Sequence, residues 1–552
     1  MKKILTIVCC LIATLAVGAQ DFESAADAVK NMGVGWNLGN TLDANNQSAG
    51  QTDPAKDSFW GQAGLDSENC WGQPTTKPGL LKMMKEAGFG AVRVPITWYN
   101  HMDASGKVDA AWMARVRQVV DYVLDQGMYC LINVHHDTGA DDSGKSYHWI
   151  KADGAVYAAT KARFEYLWRQ IATEFRDYGQ QLLFEGYNEM VDGKSTWNEP
   201  ANKTDGYKAV NDYARSFVSA VRSTGGNNTQ RNLVVNTYAA SNSPAAMAAL
   251  ELPEQAGHMA FQIHSYPDWQ SESHARQLVD NLVSNISSGL MSKGAPVIVG
   301  EYSTYSVWPE RDWYDVNRQV ALYAMDYFVR QTKAAGIATF YWMGLSDGAN
   351  RSLPVFSQAD LAETITKAYH GADFEGKYPS VGDLQLEYHV EYTGPWQELN
   401  LYSGAPVKLT DYKGLRLELK ERPAAGALQI KVYGEGSRET GYPLSANAST
   451  TVYFESAKTG GSVARVTLQT MAGTAEATVV KAALIKADGS ETPTGVSVFW
   501  GCTLTQNAVT PTGISDARKS LPVAAVYNLR GLPAPKPSKG IYIQNGRKIA
   551  VR

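Results

Sequence analysis

The chain has 552 residues, 44% hydrophobic and 19% charged, with a formal net charge of -4. Its length exceeds one ordinary core and predicts two or three domains. The composition is that of a soluble globular protein, and the near-balanced charge offers no basic field for nucleic acid or an anionic membrane surface. Aromatics are plentiful, with 14 Trp and 29 Tyr; most belong to cores and a handful suit sugar-stacking platforms.

Residues 1–19 read as a secretory signal. Lys2 and Lys3 form its charged start, Ile4 to Val17 its apolar core, and Val17-Gly18-Ala19 a small-residue cleavage site before Gln20. The apolar run is too short for a membrane anchor. A lipoprotein reading through Cys9 or Cys10 is disfavoured, because both lie inside the apolar core. After cleavage Cys70, Cys130 and Cys502 remain, an odd and sparse set that argues against a disulfide framework. Cys130 sits in an apolar run and reads as a small buried hydrophobe.

From about residue 30 to 372, short apolar runs alternate with helical periodicities. Strands are expected at 33–38, 91–95, 128–135, 182–187, 233–236, 260–264, 297–300 and 339–342. Helices are expected at 110–125, 161–177, 207–221, 276–287 and 315–334. Eight such units fit an α/β fold of the (β/α)8 TIM-barrel type with insertions over a core of ~250 residues. A doubly wound open sheet is the alternative, disfavoured because polar and acidic residues end nearly every strand. The barrel is assigned to 20–372, a linker to 373–383 and an all-β sandwich to 384–505, where apolar and polar residues alternate. Residues 506–552 read as a second linker, from 506 to 512, and a short β tail in which Asn545-Gly546 marks a hairpin.

Two of the barrel runs end in carboxylates, at Glu189 and Glu301. Such groups at barrel strand ends serve chemistry more often than packing. Facing each other across the mouth, they form the pair needed to split a glycosidic bond. No His/Cys cluster has metal-ligand spacing; His135-His136 lacks a spaced third ligand, so no metal and no cofactor is expected.

The motifs, in order, are Gly33-Val34-Gly35-Trp36-Asn37-Leu38-Gly39-Asn40-Thr41-Leu42-Asp43, Trp71-Gly72, Val92-Arg93-Val94-Pro95 and Val134-His135-His136-Asp137. Tyr187-Asn188-Glu189, His264-Ser265-Tyr266, Gly300-Glu301-Tyr302 and Tyr341-Trp342 follow. Across residues 33–370 this resembles glycoside hydrolase family 5, and its opening resembles subfamily 4, mostly endo-β-1,4-glucanases and xyloglucanases. The resemblance implies that Glu189 is the acid/base and Glu301 the nucleophile of a retaining endo-acting hydrolase on β-1,4-glucan. It also implies that His135 is the active-site histidine after strand three and that Trp342 faces the sugar at the −1 subsite. The tail resembles the sorting tail of the type IX secretion route of Bacteroidetes, which implies that machinery as a partner and an extracellular or cell-surface location. A hairpin closing the sandwich is the alternative.

The chemistry assigns further roles. A retaining enzyme holds its carboxyls about 5–5.5 Å apart. Glu189 must start protonated, with a raised pKa; Glu301 must start ionised, with donors and positive charge holding its pKa down. Arg93 is the natural donor to Glu301, Tyr266 either donates to Glu301 or stabilises charge near the ring oxygen, and His264 orients a glutamate. Asn188 suits the sugar 2-hydroxyl. His136 lines a subsite, Asn37 reaches the −2 sugar, and Trp98, Trp269 and Trp308 follow strand ends, where each either extends the cleft or packs at the surface. Glu185 reads as buried scaffold, whereas Asp43 and Asp347 lie in loops at the catalytic face.

The sandwich holds Tyr388, Tyr392, Trp396, Tyr402 and Tyr433, which allows a carbohydrate-binding module, a spacer or a brace. Four rivals stand beside the main reading: the same chemistry on xyloglucan, mixed-linkage glucan or mannan; a non-catalytic surface glycan-binding protein; a chain that acts mainly as an attachment protein; and, as a lesser option, a transglycosylase using the same intermediate. The intact set Glu189, Glu301, Arg93, Asn188, His264 and Tyr266 argues against the second.

Overall fold

In the computed structural model the eight apolar runs form parallel strands. They are β1 (Val34–Asn37), β2 (Ala91–Val94), β3 (Tyr129–Asn133), β4 (Leu182–Glu185), β5 (Leu233–Asn236), β6 (Met259–Ser265), β7 (Val297–Tyr302) and β8 (Ala338–Tyr341). Each pairs with the next and β1 pairs with β8, so the sheet closes into a barrel rather than an open doubly wound sheet. The structure describes residues 21–45, 64–141, 148–304, 318–380, 385–421, 423–471 and 473–509, with strand residues 527–528, 540–544 and 547–551. The expected leader, Trp308 and the Asn545-Gly546 turn lie outside these residues.

Helices Ala110–Leu124, Gly154–Glu174, Lys203–Arg222, Glu272–Gly289 and Arg318–Ala334 fill the expected crossovers. Asp109 and Ser271 cap two of them by accepting from backbone amides of the first turn. Outward strand residues such as Val92, Ile132, Phe184, Val235 and Val299 share one buried cluster with Val116, Leu167, Phe217 and Phe328 of the helices. Burying each such side chain is worth roughly 1.5–3 kcal/mol.

The inward rows decide function. Ala91, Leu131, Leu183, Val234 and Ala260 lie in a second cluster inside the barrel. Helix Ala25–Met32 ends just before β1 and adds Ala28, Val29 and Met32 to that cluster, closing the N-terminal end. Strand period is two, so the next inward residue on each strand lies one layer higher. Those residues are Arg93, Asn133, Glu185, Asn236 and Gln262, all fully buried. The barrel is apolar below and polar at its C-terminal mouth.

The segment expected to begin the first linker is instead attached to the barrel. Lys377 N donates to Glu86 O at 3.0 Å, Phe356 N donates to Pro379 O at 2.8 Å, and the hydroxyls of Tyr378 and Thr366 lie 2.6 Å apart. The chain divides into two units, Met1–Val381 and Gly382–Arg552.

The second unit holds β9 (Gln385–Tyr392), β10 (Glu398–Lys408), β11 (Tyr412–Leu419), β12 (Leu428–Gly434), β13 (Glu439–Pro443) and β14 (Ser449–Tyr453). It continues with β15 (Ser462–Thr470), β16 (Ala475–Lys486), β17 (Glu491–Pro493), β18 (Ser497–Trp500) and β19 (Cys502–Val509). One antiparallel sheet runs β13-β12-β15-β10-β18, the other β14-β11-β16-β9-β19 with β17 on β16. Leu399, Ile430, Val432 and Leu468 of the first share a core with Val390, Leu415, Leu417 and Val479 of the second. Residues 506–509, expected in a linker, extend β19 along β9. Tyr527–Asn528, Gly540–Gln544 and Arg547–Val551 form a three-stranded sheet. No helix among the described residues is long and apolar enough to cross a membrane.

Candidate active site

Arg93 organises the mouth. A guanidinium has five N–H donors, and all five are used. Nε donates to Glu185 Oε2 at 2.7 Å and Nη2 to Glu185 Oε1 at 2.8 Å. Nη1 donates to Glu301 Oε1 at 2.7 Å and Asn37 Oδ1 at 2.9 Å, and Nη2 to Asn188 Oδ1 at 2.8 Å. Burial works against its charge, but Glu185 and then Glu301 outweigh it, and its pKa lies above the ordinary value. Burial also pushes Glu185 up, yet Arg93 overrides it and holds that carboxyl below its usual range. Asn133 and Asn236 Nδ2 each donate to Glu185 Oε1 at 3.1 Å. Sequence reasoning passed over both asparagines, although each stands one inward step above an apolar residue.

Glu301 lies within β7, paired in register with His264 of β6. Its Oε2 accepts from the Tyr266 hydroxyl at 2.6 Å. Glu189 lies four positions beyond β4, in a loop anchored by Gly186 N to Val234 O at 3.0 Å and Asn188 N to Val134 O at 3.0 Å. His264 Nδ1 bridges the two, 2.7 Å from Glu189 Oε1 and 3.5 Å from Glu301 Oε2. One oxygen of each carboxyl and one ring nitrogen of His264 lie within 4.8 Å of one another. Burial lowers His264 to about 4, so its ring is neutral near neutral pH.

Burial lifts Glu189 to about 7, with Arg93 pulling the other way. Glu301 does not follow expectation. Burial raises it above the ordinary carboxyl value, and His264, Arg93 and Tyr266 offset this only in part. Its donors stabilise the ionised form but do not outweigh the loss of water.

Around this pair, Trp342 is half-buried, its ring stacked 5.9 Å from His135. Gly39 lies under the ring: a Cβ there would meet Trp342 Cη2 at 2.8 Å. His135 is buried, with Nδ1 3.0 Å from Asn133 Nδ2. His136 is 28% exposed and lies 5.2 Å from the Trp71 ring. Asp43 is the third neighbour that spacing did not reveal. It, His135 and His136 each place one ligand-type atom within 4.8 Å of the others. The Asp43 oxygens already accept from Asn40 and Thr41 amides, and burial raises its carboxyl to about 7.

Two expected sugar contacts, Asn37 and Trp269, are corrected, and Trp98 takes the packing alternative. Asn37 is fully buried, donating to Gly300 O at 2.9 Å while its Oδ1 holds Arg93; it positions the guanidinium. Trp269 is 1% exposed, packs against Phe328 and donates to Ser303 O at 3.0 Å. Trp98 is fully buried and donates to Asn133 O at 2.9 Å. Asp347 is exposed and accepts from Gln73 at 2.5 Å.

Residues 48–347, just over half of the chain, match the family model for cellulase (glycosyl hydrolase family 5). The chain belongs to glycosyl hydrolase family 5. Among family relatives it is 32% identical over 367 residues to Endoglucanase A of Ruminococcus albus, covering 62% of this chain and 92% of that one. It is 33% identical over 333 residues to the cellulase/esterase CelE of Acetivibrio thermocellus, covering 58% of this chain but 36% of that longer one. A solved broad specificity endoglucanase from an uncultured bacterium matches with 52% identity and a TM-score of 0.61, covering 64% of this chain and 98% of that one. A family 5 enzyme from Prevotella bryantii B14, solved with a xyloglucan tetradecasaccharide, matches with 42% identity and a TM-score of 0.57 over 64% of this chain and 100% of that one. The family 5 match falls within the first unit, which carries Arg93, Glu189, His264 and Glu301.

Proposed function

We propose that this chain is a secreted, retaining endo-β-1,4-glucanase whose range extends to xyloglucan. The observation that carries the reading is the Glu189–Glu301 pair: oxygens within 4.8 Å, one carboxyl raised to about 7, the other held by Arg93 and Tyr266. A nearest-oxygen separation of at most 4.8 Å fits the close pair of double displacement, about 5–5.5 Å, better than the about 6.5–9.5 Å of inversion. The relatives named as endoglucanases, and the relative solved with xyloglucan, support the substrate class.

In the first half-reaction Glu189 gives its proton to the glycosidic oxygen while Glu301 attacks the anomeric carbon; the C–O bond breaks and a glycosyl ester forms. In the second, Glu189 takes a proton from water, the water oxygen attacks the anomeric carbon, and Glu301 leaves as carboxylate. Asn188 holds Arg93 through Oδ1, so its amide nitrogen is the end left for the sugar 2-hydroxyl. Trp342 supplies an apolar plate for the ring. The leader at 1–19 and the C-terminal sheet serve as export addresses in this reading, the latter through type IX machinery; a mature N-terminus at Gln20 in the culture medium tests the first.

The deciding experiment is product release from β-glucans, xyloglucan and mannan by wild type and by Glu301→Gln. Cleavage by wild type of a β-1,4-glucan with an inactive, glycan-binding variant is expected. Binding without turnover by the wild type sinks the reading and leaves a glycan-binding protein on an enzyme's fold.

A further inference from the structure

The sheet β13-β12-β15-β10-β18 buries Leu428, Ile430 and Val432 of β12, so Gln429, Lys431 and Tyr433 face outward. A face that needed only solvation would carry scattered charges. This one carries a connected chain. Gln429 Nε2 donates to Gln469 Oε1 at 2.5 Å, and Gln469 Nε2 donates to Glu398 Oε1 at 2.6 Å. Glu398 Oε2 accepts from the hydroxyls of Tyr433 at 2.6 Å and Thr467 at 2.7 Å. Such a network fixes polar positions in advance, so little ordering remains to be done on binding.

Trp396 stands beside this chain, 53% exposed, with a backbone φ of +63°. That left-handed conformation costs a residue with a Cβ about 1–2 kcal/mol, and such strain concentrates at functional positions. The backbone is pinned there: Trp396 N donates to Thr470 O at 3.0 Å, and its carbonyl accepts from Gln469 Nε2 at 3.4 Å. Trp396, Gln429, Lys431, Glu439, Gly441 and Gln469 line a concavity of about 350 Å³. Gly441 keeps it open, since a Cβ there would meet Gln429 Oε1 at 2.2 Å. Farther along the sheet the Phe499 ring, 41% exposed, lies 3.8 Å from the Arg465 guanidinium carbon.

We propose that this face is a second glycan-binding site, taking one chain of a β-linked glucan. Trp396 stacks on a pyranose, Gln429 and Lys431 hydrogen-bond its hydroxyls, and Gln469 holds Gln429 in place from beneath. A strained, exposed indole beside fixed amides and an ammonium suits a sugar with equatorial hydroxyls, whose ring has apolar faces and a polar rim. The choice of glucan rests on the function proposed for the barrel; the site itself does not. Binding here raises the local concentration of polymer around the catalytic unit.

The test uses the full chain. Trp396→Gly removes the indole and suits the left-handed backbone; Gln429→Ala breaks the polar chain elsewhere. In the Glu301→Gln background, calorimetry with a soluble xyloglucan-derived oligosaccharide is expected to give two equivalents bound. Adding Trp396→Gly or Gln429→Ala should reduce this to one. In the otherwise wild-type chain, either substitution should weaken adsorption to insoluble cellulose at least tenfold while the rate on a short soluble β-glucan oligosaccharide stays the same. That unchanged rate certifies the barrel, and an unchanged thermal transition of the sandwich by calorimetry certifies the second unit. One equivalent with and without the sandwich substitutions overturns the proposal. Binding stoichiometry needs no turnover, so an inactive wild type that still binds two equivalents refutes the barrel's proposed activity and supports this site.

Discussion

Arg93 Nη1 lies 2.7 Å from Glu301 Oε1, the guanidinium fully sealed from solvent and the carboxylate 5% exposed. Arg93→Ala strands Glu185 and Glu301 without their cation, and breaking a buried pair in this way costs about 3–5 kcal/mol. Arg93→Lys keeps the charge but offers three donors from one point in place of a five-donor fork. The lysine variant is expected to fold and to lose at least tenfold in kcat, with KM little changed. Urea unfolding and steady-state kinetics check both; a lysine variant with wild-type kcat would remove Arg93 from its positioning role.

Glu189 links pH to stability and rate. Its native carboxyl is raised to about 7 from an ordinary 4.5, so the folded state binds the extra proton between those values. Its contribution is therefore fully present below the ordinary value and lost as pH rises through about 7. Glu189→Gln, which cannot ionise, should match wild type in stability at low pH and gain on it as the pH approaches 8. Wild-type activity should fall on an alkaline limb near 7, and the variant should be roughly 10²–10⁴-fold slower on unactivated glucan. Thermal midpoints across that pH range are the measurement; a constant difference between the two proteins contradicts the raised carboxyl.

Gly39→Ala probes the sugar plate without touching it chemically. Its Cβ would lie 2.8 Å from the Trp342 ring, and a rigid indole stacked on His135 cannot yield in place. Displacing the ring is expected to lower kcat/KM about tenfold, equivalent to about 1.4 kcal/mol. Kinetics on a soluble oligosaccharide decide it. No change would mean that Trp342 contributes little to holding substrate.

Trp269→Ala separates core from cleft. The ring is buried against Phe328, so truncation should destabilise by roughly 3–5 kcal/mol. KM of the folded fraction should not move. A raised KM with unchanged stability would return Trp269 to the substrate surface.

The barrel strands were legible because each is a short apolar run, and Glu189 and Glu301 because charge at such a run's end is conspicuous. Ring direction was not legible. Trp342, Trp269 and Trp98 all follow strand ends, yet the first faces the mouth and the other two pack inward. Asn37 also looked ligand-facing, but its amide is consumed by Arg93 and backbone carbonyls. The direction of the Glu301 shift depends on burial against donors, a balance that exists only once four strands meet. Asp43 joins His135 and His136 from a distant loop, so local spacing could not report it.

The guanidinium of Arg93 set against Glu185, Glu301 and nearby Glu189 has an electrical consequence for the proposed cycle. At rest, with Glu189 protonated, the four groups sum to one negative charge. In the glycosyl intermediate Glu301 is a neutral ester and Glu189 has surrendered its proton, so the sum is again one negative charge. Charge moves from one side of the sugar to the other without entering or leaving the group. The surrounding low-dielectric protein need not reorganise for a change in total charge, and no counterion has to follow the reaction.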